Sequence, residues 1–290
     1  MQIAAKSKFT MASLLIAAAT TTLLTPLALT QTTPYIPTFT FDIATIRENA
    51  PSDSYTMMVS SPLHSSKFSN TSITAKNLIT VAYGLNYYQI SGGPDWLDRA
   101  RFNVQAKSDA TVDEAMSKLT KEQASLEKQH MLQTLLADRF KLKVHQETKD
   151  LPAFALVIAK SGLKMQVAKG EKPGPDELKA FGDNPVPPLY QQGDGRRGYQ
   201  YFAHGASMAL ITDMLAGQFN TTVVDKTGLT ATYDFTLQYN GTVSPHEMEG
   251  VETWPPLTTA IQDQLGLKLE PIKAPTQILI IDHIERPTEN

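Results

Sequence analysis

The sequence predicts an α+β fold in which a small β-α-β-β-α-β-β unit occurs twice in tandem, as two domains joined by a Pro/Gly-rich linker. Three observations lead to this expectation. Lys76–Lys107 (KNLITVAYGLNYYQISGGPDWLDRARFNVQAK) and Ser207–Gln238 (SMALITDMLAGQFNTTVVDKTGLTATYDFTLQ) carry the same order of patterns, with Leu78-Ile79-Thr80 matched by Leu210-Ile211-Thr212 and Leu97 by Leu229. Further on, Leu135–Lys160 parallels Ala260–Ile284, with Asp138, Leu142 and Lys143 matched by Asp263, Leu267 and Lys268. Between the copies, KGEKPGPDELKAFGDNPVPPLYQQGDGRRG is dense in Pro and Gly and holds no apolar period.

The elements follow in order. An extended stretch opens each copy: Phe39, Phe41 and Ile43 alternate in the first, and Tyr199, Tyr201 and Ala203 in the second. A short helix follows, capped near Thr74 or Ser207, with Leu78, Ile79 and Ala82 or Leu210, Ile211 and Met214 on one face. Gly84 and Gly217 are placed to end these helices, because a C-terminal left-handed residue is most often glycine. Two short strands come next, YQIS then RFNVQAK, and TTVV then YDFTLQY. Thr120 and Gln123 have capping-box spacing for a second helix that buries Leu132, Leu135, Leu136 and Phe140. Its counterpart is shorter, about Leu257 to Gln264, with Gly266 where the first copy has Lys141. A closing strand pair ends each copy, LKVHQETK with AFALVIAK and LKLEPIK with QILIIDHI. The expected domains are 36–165 and 197–290, with 166–196 as linker or long loop and Asn240–Pro256 as a second loop.

Composition narrows the function classes. The chain has 290 residues, 41% hydrophobic and 19% charged, with a formal charge of −3, so nothing in it attracts nucleic acid in general. Lys6 and Lys8 precede the apolar run MASLLIAAATTTLL and then Pro26, which reads as an export signal over residues 1–30, cleaved near Gln31 or kept as an anchor. No later run is long enough to span a bilayer, and the expected location is periplasmic or secreted. Cysteine is absent, which removes disulfides, thiol nucleophiles and Cys-based zinc sites.

Two catalytic signatures overlap in VVDKTGLTATYDF. As a P-type ATPase motif, Asp225-Lys226-Thr227-Gly228 lacks a magnesium-binding motif C-terminal to it, since Gly193-Asp194-Gly195 lies on the wrong side. As the third motif of penicillin-recognising serine enzymes, Lys226-Thr227-Gly228 would join Ser125 and Lys128, which have Ser-x-x-Lys spacing, but no Ser-x-Asn lies between them. The repeat offers a simpler reading, in which DKTGLTATYDF matches GGPDWLDRARFNV as a strand-turn-strand, Asp225 caps the turn and Gly228 supplies a positive φ. The six histidines show no i, i+4 pairing, so no metal site and no cofactor are expected. Trp96 and Trp254 are the candidate binding residues, with Trp96 more suited to covering its own core.

The second copy resembles, in its order of elements, the short N-terminal domain of secretins and TonB-dependent receptors, a periplasmic interaction module without catalytic residues. Over nearly the whole chain, FDIATIREN, VAYGLNYYQISGGPDWLDRARFNVQAK, MLQTLLADRFKLKVHQETKDLPAFALVIAK, VVDKTGLTATYDFTL and IDHIERP resemble a set of secreted soil-associated acidobacterial proteins of unknown function. The resemblances imply an exported, non-catalytic interaction or sensing module with an envelope or extracellular protein partner. The alternative is a secreted serine hydrolase or β-lactam-recognising enzyme with its site between the domains.

Overall fold

A computed structural model describes residues 34–50, 58–170, 174–181, 185–194, 197–241 and 254–287. The expected export signal, 1–30, and most of the Asn240–Pro256 loop lie outside them. The chain divides into two compact units, Met1–Ile36 and Pro37–Asn290. All elements below belong to the second, which is a mixed α+β structure with three four-stranded sheets.

In chain order, β1 (Ile43–Glu48), β2 (Met58–Ser60) and β3 (Phe68–Thr74) lead into α1 (Ala75–Tyr83). Thr74 caps α1 by accepting from the Asn77 N–H, and Gly84 ends it at φ 62°, both as the sequence predicts. A 3-10 turn, Tyr87–Gln89, precedes β4 (Ile90–Gly92); α2 (Trp96–Arg99) and β5 (Arg101–Lys107) follow. Next come α3 (Ala110–Ser117) and α4 (Lys121–Arg139), where Thr120 and Gln123 form the expected reciprocal capping box. The long strand β6 (Lys143–Ile158) completes the first half. The second half runs β7 (Gln166–Val167), α5 (Pro175–Phe181), β8 (Leu189–Asp194), β9 (Gly198–Ser207), α6 (Met208–Phe219), β10 (Val223–Asp225), β11 (Thr232–Tyr239), α7 (Leu257–Ala260) with a π-type turn at Ile261–Leu265, and β12 (Leu267–His283).

The first sheet has the order β1-β5-β3-β2 and the third β7-β11-β9-β8. Each strand of one has its counterpart six strands later in the other. The central sheet, β10-β6-β12-β4, is built on β6 and β12, which run antiparallel from Leu267 opposite Ile158 to Ile281 opposite Val144. β10 of the second half adds in parallel to β6 of the first, and β4 of the first half adds in parallel to β12 of the second. Segments 36–165 and 197–290 therefore share this sheet, each supplying the short strand that flanks the other's long one.

Four sequence expectations are corrected here. The closing strand pairs are not pairs, since each is one unbroken strand. Neither TKDLPA nor IKAPTQ holds a Gly or Asn to reverse the chain, and their prolines fit a straight strand. Pro152, Pro271 and Pro275 all sit in the ladder phase whose N–H points away from the partner strand; Phe154, in the same phase, donates outward to Thr222 O at 2.9 Å. Gly217 does not end α6, which continues to Phe219 and stops at Asn220, φ 50°. The strand that precedes α1 is β3 rather than the Phe39–Ile43 stretch. Its buried residues include Asn70, Ser72 and Thr74 beside Phe68 and Ile73, and a bulge between Asn70 and Ile73 shifts the register, which hides the alternation. The 166–196 segment, expected as a linker or loop, supplies β7 and β8, the two edge strands of the third sheet, with α5 between them.

Two cores result. In the first, the buried face of α4, with Leu132, Leu135, Leu136 and Phe140, packs with α1 and the first sheet. Phe102 meets Phe140 edge to face at 5.4 Å and Trp96 at 6.3 Å. Burial of a side chain of this size contributes about 2–3 kcal/mol before entropy is counted. The second core gathers Ile211, Leu215, Tyr233, Leu237, Ile261, Leu265 and Leu267, and includes Leu156 from the first half's β6.

Candidate functional site

The stretch with catalytic lettering forms a turn. Asp225 ends β10, and its Oδ1 accepts from the Thr227 N–H at 2.8 Å and the Thr227 hydroxyl at 2.7 Å. The Thr227 hydroxyl in turn accepts from the Leu229 N–H at 3.1 Å, and Gly228 has φ 73°. Lys226 N–H donates to Leu156 O at 2.9 Å, tying the turn to β6. This is Asx-turn chemistry, with both Asp225 and Thr227 side chains engaged locally.

The Ser-x-x-Lys spacing on α4 also resolves into structural bonds. Ser125 is exposed. Lys128 is buried, and its Nζ donates to Ser65 O at 2.9 Å and Lys67 O at 2.6 Å. Burial pushes the Lys128 amine down to about 8, opposed by Asp113 nearby. Asp113 has its own task, accepting from the Ser66 N–H at 2.6 Å, which holds its carboxyl below the ordinary value. The neighbouring Glu127, fully buried, accepts from the backbone of Thr38 and Phe39 at 2.8–3.1 Å. Lys128 therefore fastens the chain between β2 and β3, and Glu127 the chain before β1.

Of the two tryptophans, Trp96 is half-buried against the first core, and the Arg286 guanidinium lies over its ring at 5.5 Å. Its outer face is therefore covered by a cation. Trp254 is half-buried too, and its backbone N–H donates to Arg197 O at 3.4 Å. The structure does not bring the two together in any described contact.

Sequence spacing missed one cluster on the central sheet. His145 on β6 reaches Asp282 Oδ1 across the ladder at 2.8 Å and Glu147 Oε1 along its own strand at 3.1 Å; Lys149 pairs with Glu147 at 2.6 Å. Hydrogen bonds to Asp282 and then Glu147 raise the His145 imidazole above its ordinary value. Asp282 is distant in sequence, and only the ladder register makes it a neighbour. Among the described residues, no group of three His, Asp or Glu side chains is disposed to hold a metal ion.

On the inner face of the third sheet, Tyr239 stacks on Tyr201 at 5.9 Å with ring planes 8° apart. Gln191 Nε2 donates to the Tyr239 hydroxyl at 2.5 Å, that hydroxyl donates to Gln218 Oε1 at 3.1 Å, and Gln218 Nε2 donates to Tyr201 at 2.9 Å. Burial, then the neighbouring Tyr201, pushes the Tyr239 phenol far above its ordinary value. The relay closes on itself and braces α6 against β8, β9 and β11.

Among the described residues no helix is long and apolar enough to cross a membrane. No curated protein and no solved structure matches the chain. One family does match, over residues 76–284, from the first turn of α1 to just beyond β12, so a single family unit spans both halves and the sheet they share. The chain belongs to that family, DUF3738, described as a protein of unknown function.

Proposed function

We propose that this chain is an exported, non-catalytic interaction or sensing module of the cell envelope, derived by tandem duplication of one α+β unit. The observation that carries the reading is that both constellations with catalytic lettering are consumed by structural bonds. Lys128 is spent on two loop carbonyls and Asp225 on its own turn. Duplication is supported by the equal strand orders of the first and third sheets and the exchange of β4 and β10 across the central one. Matching left-handed residues also support it: Lys141 at φ 54° follows α4, and Gly266 at φ 68° follows the π-type turn after α7. Export rests on the basic and apolar N-terminal segment, and an envelope protein is the partner that follows from it. Affinity capture from envelope extracts with the full folded protein tests this; reproducible recovery of one partner is expected. Repeated capture of none, with the bait shown intact, would overturn it.

A further inference from the structure

One edge of the central sheet is left open over a stretch with sharp limits. Along β6, the ladder phase that faces away from β12 holds Val144, Gln146, Thr148 and Asp150. Among the described residues, none of these four has a backbone partner on its outward side. Gln146, Thr148 and Asp150 are exposed, and Val144 is half-buried. At one end, β6 begins at Lys143, just after the left-handed Lys141. At the other, Pro152 lacks a donor and its carbonyl accepts from the Thr221 hydroxyl at 2.8 Å; the docked β10 then takes over, with Phe154 N–H donating to Thr222 O at 2.9 Å. Lys143 to Ala153 is therefore the length of strand available, and Thr148 is its midpoint.

The side chains about that midpoint complement their own reverse order. In an antiparallel pairing of two such edges centred on Thr148, Glu147 of each copy stands opposite Lys149 of the other, so the favourable pair occurs twice. These are the narrow, non-hydrogen-bonded positions, where opposing side chains lie closest. Glu147 and Lys149 already pair along their own strand at 2.6 Å and both stay partly exposed, so the two copies would form a square of alternating charge. On the other face Thr148 meets Thr148, and Gln146 meets Asp150. At the ends, Lys143 meets Ala153, so each incoming strand stops where β10 begins. Neighbouring registers lack this fit. Centred on Gln146 the pairing sets Lys143 against Lys149, centred on Glu147 or Lys149 it sets that residue against its own copy, and centred on Asp150 it sets Asp150 against Asp150.

We propose that two copies of this chain associate along β6, antiparallel about a twofold axis at Thr148, and so join their central sheets into one. The hydrogen-bond phase agrees with the charge register. Thr148 exchanges two backbone bonds with its copy, and each Gln146–Asp150 pair exchanges two more, all from groups that face outward in the single chain. Backbone bonds supply the affinity, while Glu147 and Lys149 select the register and the partner. The contact goes beyond the envelope-partner reading above, because it concerns self-association.

Sedimentation equilibrium of the full chain tests the proposal. A concentration-dependent dimer is expected, with amide exchange at Gln146, Thr148 and Asp150 slowing as concentration rises. Thr148→Pro deletes the central outward donor in the phase where Pro152 already stands, so the ladder with β12 is kept; thermal unfolding at high dilution should be nearly unchanged and dimerisation about tenfold or more weaker. Glu147→Lys and Lys149→Glu each set like charges opposite one another twice, and each should weaken the dimer about tenfold. An equimolar mixture of these two single variants makes every opposing pair complementary again and should restore association, as should both changes in one chain. A chain that stays monomeric at every concentration, a dimer indifferent to the single reversals or to Thr148→Pro, or a mixture that fails to restore it overturns the proposal. So does an envelope protein that protects these amides on a monomeric chain, an outcome that assigns the edge to a foreign segment and leaves the interaction reading standing.

Discussion

The backbone N–H of Ser72 donates to Asn103 Oδ1 at 3.1 Å, and it does so at a bulge. Ser72 has φ 60°, which leaves its N–H out of the ladder between β3 and β5, and the Asn103 side chain replaces the missing carbonyl. In the second half Gly205, φ 71°, stands in the same position and donates to Asp234 Oδ1 at 2.7 Å beside the corresponding irregularity of β9 and β11. One backbone defect and its remedy thus occur twice, with different residues.

Asn103→Ala should therefore lower unfolding stability by about 1–2 kcal/mol, because the N–H of buried Ser72 loses its acceptor. Asn103→Asp, which copies the second half, should retain most of it. Urea unfolding of the two variants checks both outcomes.

The junctions that lead from α4 into β6 and from the turn after α7 into β12 offer an opposite pair of effects. Lys141 adopts φ 54° at a cost of about 1 kcal/mol that glycine does not bear, so Lys141→Gly should stabilise by roughly 0.5–1 kcal/mol. Gly266→Ala should destabilise by about 2 kcal/mol or more, since its Cβ would lie 2.0 Å from Gly162 O. Thermal melts of the two variants should move in opposite directions.

Lys128 predicts a pH dependence. Its folded value, about 8, lies below the ordinary 10.5, so the unfolded chain binds more protons between them and stability rises with pH through that window. Lys128→Met should remove this rising limb when unfolding free energies of variant and wild type are subtracted across pH 7–11.

His145 has the reverse sign. Its value is raised by Asp282 and Glu147, so its contribution is fully present below the unfolded value and lost as pH rises through the folded one. Asp282→Asn should shift the imidazole titration, followed by NMR, downward toward the ordinary value.

Reactivity separates the structural reading of α4 from the hydrolase alternative. With Lys128 Nζ held by Ser65 O and Lys67 O, the Ser125 hydroxyl gains no base from it, and a fluorophosphonate or β-lactam probe should leave Ser125 unlabelled in intact-mass analysis. Asp225→Ala should instead cost about 1 kcal/mol of stability through loss of the Asx turn.

Local chemistry was legible wherever a few adjacent residues decide the outcome. Thr74 and the Thr120–Gln123 box start their helices as predicted, Gly84 ends one, and Asp225 to Gly228 make the expected turn. The buried side of α4 followed from its apolar spacing. Gly217 misled because Asn220 supplies the left-handed exit three residues later. β3 was missed because the polar Asn70, Ser72 and Thr74 are buried alongside Phe68 and Ile73 and a bulge between Asn70 and Ile73 breaks the alternation.

By itself the sequence determined the caps and turns at Thr74, Gly84, Thr120 and Asp225–Gly228 and the helices that α1 and α4 became, since these depend on neighbours along the chain. Tertiary structure alone decided that LKVHQETK and AFALVIAK are one strand, that β4 and β10 cross to the opposite half, and that His145 meets Asp282. Those outcomes depend on which strand lies alongside which and in what register. That choice is set by pairing between segments far apart along the chain, where the local pattern fits several partners equally well.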